Sequence, residues 1–109
     1  MEILFDDANL KDAIELDRAR PGFPAPVRLR ARTMLWLLKA IPDIRTLKNW
    51  KSAGYRPARG RLGLGRIHIL DRHHFVVRVD ETLIPPAITI VDLDQEPRKA
   101  AKETAHEQA

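Results

Sequence analysis

Residues 66–79 read RIHILDRHHFVVRV, and their alternation decides the fold. Ile67, Ile69, Phe75, Val77 and Val79 fall on odd positions and make one apolar face. Arg66, His68, His74, Val76 and Arg78 fall on even positions and make a largely polar one. A period of two predicts two strands, 66–70 and 75–79, with one face buried and the other open. Two registers are compatible with this pattern. A turn at 70–72 sets Ile69 against His73 and His68 against His74; a turn at 72–74 sets His68 against Arg78. In the first, imidazoles about 5 Å apart depress each other's pKa and leave one neutral as a base.

Working outward, residues 87–93 (AITIVDL) read as a further strand after the break at Pro85-Pro86, and residues 1–5 (MEILF) as a first one. Asp6 or Asp7 caps a short helix over 7–19, which Pro21-Gly22 stops. A stronger helix follows over 27–41. Val27, Ala31, Met34, Leu35, Leu38 and Ile41 recur at three- and four-residue intervals, with Pro24 or Pro26 near the start and Pro42 at the end. Leu29, Trp36 and Ala40 widen its apolar side and leave a flank for a partner helix. Residues 43–51 read as a short strand. Residues 52–65 (SAGYRPARGRLGLG), with four glycines, read as a mobile basic loop. The order is strand, two helices, then three or four strands. That predicts an α+β domain over residues 1–94, with a three- or four-stranded antiparallel sheet carrying helices on one face. Residues 95–109 read as a flexible charged tail.

With 109 residues, 44% of them hydrophobic, the chain can build one core and not two. It has no cysteine, which excludes disulfide scaffolds and all thiolate chemistry. No apolar run approaches the ~18 residues of a membrane span and the first residues are acidic, so a cytoplasmic domain without a signal peptide is expected. The net charge of +4 conceals a segregation. Residues 27–78 carry 13 basic side chains against Asp43 and Asp71 alone, a net +11 between flanks of −3 and −4. Ten of the 13 are arginines, the side chain suited to bidentate phosphate contacts. A polyanion is the partner that such a segment fits.

The opening MEILFDDANLKD, the Arg/Leu-rich helix, the basic loop, the hairpin and the closing ITIVDLD together resemble the HigB-like branch of the RelE/ParE superfamily, the toxins of bacterial type II toxin–antitoxin systems. The resemblance spans residues 1–94. It implies a β-α-α-β-β-β toxin that cleaves mRNA on the ribosome and is held in check by a cognate antitoxin, usually a helix-turn-helix protein. Where such toxins end their last strand with Asp-Tyr-His, this chain has Asp92-Leu93-Asp94. His68 and His74 stand where the hairpin commonly carries arginines.

Cleavage at the RNA 2′-hydroxyl needs a base, an acid and cations on the phosphate. The candidates are His68, His74 and Asp92 for the proton transfers, with Arg59, Arg61, Arg66 and Arg78 to hold RNA. No cofactor is expected. No metal site is expected either, because no H-x₃-H or cysteine spacing accompanies the histidines. Gly60, Gly63 and Gly65 precede a strand, so they form no helix-capping phosphate loop. Two other functions fit the same residues. One is a non-catalytic relative, either a ParE-like gyrase inhibitor or a decayed toxin kept as a protein-binding module. The other is a plain RNA-binding domain, against which the scarcity of aromatics on the polar face counts.

Overall fold

The computed structural model describes residues 1–58, 60, 63–84 and 86–96. The chain runs β1 (Glu2–Phe5), α1 (Ala8–Glu15), α2 (Ala25–Ala40), α3 (Ile44–Asn49), a 3₁₀ turn (Lys51–Ala53), β2 (Arg56–Pro57), β3 (Gly65–Leu70), β4 (His73–Asp80) and β5 (Ala87–Gln95). The α+β class is as the alternation predicts. Among the described residues the sheet has five strands in the order β1-β5-β4-β3-β2. It is mixed, because β1 pairs parallel to β5, with Glu2 opposite Ala87 and Phe5 opposite Ile90.

Each helix starts where its sequence supplies an acceptor or a proline. The Asp7 carboxylate accepts from Asn9 N at 2.8 Å and opens α1. That helix closes at Glu15, not at 19, because Asp17 turns left-handed (φ +51) and Arg18 N reaches back to Ala13 O at 3.0 Å. Pro24 caps α2, which carries Pro26 in its first turn and stops before Pro42. Residues 43–51 hold no strand. Asp43 accepts from both the amide and the hydroxyl of Thr46 at 2.8 Å, and this bonding nucleates α3 instead.

The helices cover one sheet face. Leu10, Ile14, Val27, Ala31, Met34, Leu35 and Leu38 pack on Ile67, Ile69, Phe75, Val77, Ile88, Ile90 and Leu93 in a single core. The opposite face of β3 and β4 carries Arg66, His68, His74 and Arg78, but it is not open along its whole length as the alternation predicts, because His74 and Val76 are buried on it. The residues read as a mobile loop contribute β2, which adds Arg56 and Pro57 to the edge opposite Arg66 and Gly65. At the other end β5 continues through Gln95, and the Glu96 amide donates to Arg72 O at 2.9 Å. Residues 97–109, the rest of the expected tail, lie outside the described residues, as do Arg59 and Arg61.

Candidate active site

The β3–β4 register settles which residues share the polar face. His68 lies directly across from His74, and Ile67 across from Phe75. The turn is the pair Asp71–Arg72, with Asp71 at φ +52, and Leu70 rather than Ile69 opposes His73. One residue of β3 is therefore bulged, which lets a two-residue turn keep both histidines in register. One strand further on, Asp94 stands opposite His74. Arg56, Arg66, His68, His74 and Asp94 thus all come to the polar face by pairing alone.

All of these but Asp94, which reaches the site only through His74, border a pocket of about 330 Å³ lined by Gly54, Arg56, Arg66, His68, Asp71, Arg72, His74 and Glu96. His68, at the exposed rim, places Nε2 2.9 Å from Asp71 O. A carbonyl only accepts, so Nε2 carries hydrogen and Nδ1 is left for another partner. His74 is only 6% exposed and has Nε2 3.7 Å from Asp94 Oδ2. Burial holds its pKa below the usual histidine value of 6.5, and the Arg66 guanidinium pushes the same way. Asp94, Glu96 and the Arg72 backbone oppose the shift without cancelling it. The low pKa expected from imidazole–imidazole repulsion is therefore present at His74, but its causes are burial and an arginine.

The turn and the end of β5 are fastened to each other. The buried His73 ring has Nε2 2.7 Å from Gly22 O and Nδ1 3.3 Å from Leu70 O, and meets Phe23 edge-on at 4.9 Å. With its amide oxygen facing the guanidinium, Gln95 accepts from Arg72 Nη2 at 2.7 Å. The carboxylate of Glu96 is paired with the guanidinium of Arg66.

Of the sequence candidates, the structure brings together His68, His74 and Arg66. Asp92 is not among the pocket residues: its Oδ1 accepts from Leu93 N at 2.8 Å and lies 3.5 Å from Arg20 Nη2. Arg78 is paired with Asp6 at 3.2 Å, outside the pocket. Arg56, Arg72, Asp94 and Glu96 are the pocket-side residues that periodicity over 66–79 misses. The alternation of Asp92, Asp94 and Glu96 along 92–96 was the available signal for two of them. Among the described residues, no group of three or more His, Cys, Asp or Glu side chains is arranged to hold a metal ion. No helix among them is long and apolar enough to cross a membrane.

A second concavity, about 620 Å³, runs along α2 beside Leu29, Arg32, Trp36, Lys39 and Glu15. Its floor is apolar, with Trp36 76% exposed. Its charged pair, Lys39 Nζ with Glu15 Oε2 at 3.6 Å, is a partly exposed ion pair, and no histidine lines it.

A five-stranded mixed sheet with helices on one face and a cationic pocket on the other can be compared with known proteins. A YoeB/ParE toxin from Agrobacterium tumefaciens superposes with a TM-score of 0.51, covering 89% of this chain and 100% of that one at 16% identity. The fold is that of a YoeB/ParE toxin. No family model matches the sequence, and no curated protein does. At that identity the shared feature is the architecture, and the toxin's own side chains are not carried over to this chain.

Proposed function

We propose that this chain is the toxin of a bacterial type II toxin–antitoxin system and cleaves mRNA on the ribosome. The observation that carries the reading is the pairing of His68 with His74 inside a pocket edged by Arg56, Arg66 and Arg72. His74, held neutral by burial and Arg66, takes the proton of the RNA 2′-hydroxyl. The 2′-oxygen attacks phosphorus, the P–O5′ bond breaks, and the 5′-oxygen leaves with a proton delivered by His68. The products are a 2′,3′-cyclic phosphate and a 5′-hydroxyl, so atoms and charge balance without a metal or cofactor. The arginines hold the phosphate as negative charge builds on its oxygens. The ribosome supplies the mRNA in an extended, attack-ready geometry, which is the larger share of such catalysis. Arg59, Arg61 and Arg78 are assigned to the flanking RNA, and Asp92 to support of the sheet end rather than to proton transfer.

The cognate antitoxin, a helix-turn-helix protein in this reading, covers the Leu29–Trp36 flank of α2. A largely exposed tryptophan beside Arg32 and Lys39 suits an acidic amphipathic helix. One observation favours a non-catalytic reading: Asp92 is bonded to Arg20 outside the histidine pocket. A gyrase inhibitor or a protein-binding module needs no acid–base set. Induction in cells followed by mapping of mRNA 5′ ends decides the matter. New 5′ ends that vanish with His74→Ala support cleavage. Intact mRNA with accumulated DNA damage supports gyrase inhibition.

A further inference from the structure

We infer that Glu96 is a built-in competitor for the RNA phosphate, a carboxylate latch that occupies Arg66 until a phosphodiester displaces it. This deepens the preceding reading and rests on it for the identity of the ligand, a single-stranded RNA backbone.

Arg66 lines the same pocket as His74, yet its guanidinium already holds the Glu96 carboxylate. A carboxylate offers two oxygens to a guanidinium much as the non-bridging oxygens of a phosphodiester do, so the two anions compete for one donor set. The latch is delivered by ordered backbone. His73 pairs with Gln95 across β4 and β5, and the Glu96 amide is fixed on Arg72 O at 2.9 Å. Only the side chain of Glu96 has to swing for the pocket to open, and no strand unpairs. Arg66 keeps 25% of its side chain exposed and Glu96 39%, so the ion pair is solvent-screened and weak enough to be displaced. Its removal is therefore worth a small factor in affinity, about two- to five-fold at low ionic strength.

The test uses the full chain and two probes: a short, 5′-labelled 2′-O-methyl RNA, which cannot be cleaved, and inorganic phosphate. Binding of the RNA is read by fluorescence anisotropy and binding of phosphate by amide chemical-shift titration. Wild type, Glu96→Gln, Glu96→Ala, Arg66→Ala and the double variant Arg66→Ala/Glu96→Gln are compared, each checked for native near-ultraviolet dichroism. Both Glu96 variants are expected to bind RNA about two- to five-fold tighter than wild type, with the gain lost when Arg66 is absent. Unchanged or weaker RNA binding by the Glu96 variants, alongside a loss in Arg66→Ala, overturns the latch and leaves the RNA reading intact. A gain that persists without Arg66 also overturns it, because the effect is then one of net charge. Tighter phosphate binding through Arg66 with no RNA binding by any variant keeps the latch and removes RNA as its ligand. Binding of neither probe by any variant overturns both.

Discussion

Asp92 Oδ1 stands 3.5 Å from Arg20 Nη2 and ties the far end of β5 to the loop that leads into α2. Both side chains are more than a third exposed, so the pair contributes about 0.2–1 kcal/mol. Asp92→Ala is expected to lower stability by about 1 kcal/mol in urea unfolding. RNA cleavage should stay within about threefold of wild type, since no proton transfer is lost. A hundredfold drop in cleavage with unchanged stability would return Asp92 to the chemistry.

His74 makes stability depend on pH with a defined sign. Its folded pKa lies below the unfolded value of 6.5, so the unfolded chain binds the proton more tightly. The stability this provides is fully present above pH 6.5 and is lost as pH falls through the folded pKa. Urea midpoints measured between pH 8 and pH 5 should fall on the acid side, and His74→Gln should flatten that slope. The same substitution should slow cleavage by about 10²–10⁴-fold. A wild-type stability that rises on acidification across this range would contradict the burial of His74.

Arg66 and Arg78 should separate in RNA binding because one edges the pocket and the other does not. Arg66→Ala is expected to weaken binding about tenfold, the scale of a lost charge-assisted hydrogen bond. Arg78→Ala releases Asp6 from an exposed pair and should cost about threefold. Each should reduce the slope of log affinity against log salt by about 0.7, as one phosphate contact on a single strand predicts. Equal losses for the two variants would spread the interface well beyond the pocket.

Gly65 is a test of how Arg56 is placed. A Cβ there would meet Tyr55 Cε1 at 2.6 Å, next to the short strand that presents Arg56. Gly65→Ala is expected to destabilise by about 1–3 kcal/mol and to weaken RNA binding through displaced β2. A melting temperature equal to wild type would mean that the ring swings clear at no cost.

Much of this fold is legible because its period matches its burial. The odd apolar residues of 66–79, the three–four stripe of α2 and the run AITIVDL each state their face directly. Three features are not legible that way. The parallel union of β1 with β5 is a long-range choice that no local period encodes. The pair Arg56–Pro57 is too short to show an alternation. The segment 43–51 holds a cap, Asp43 with Thr46 three residues on, but its Leu47 and Trp50 suit a short strand equally well by composition. The site divides along the same line. His68 and His74 follow from register, whereas Arg72 arrives from a turn and Glu96 from a strand that outlasts its apolar residues. Asp92 stands out only by resemblance to a terminal motif, and its bond to Arg20 is a tertiary event.

The union of β1 with β5 also sets a clock on synthesis. Glu2–Phe5 cannot find their partners until Ala87–Ile90 have cleared the exit tunnel, so the nascent chain carries an unfinished sheet for nearly the whole of translation. The arginine-lined pocket needs β5 as well, for the strand end brings Glu96 to it and Asp94 beside His74. A copy that stops short of β5 therefore lacks the acidic side of that pocket and leaves β1 without its partner.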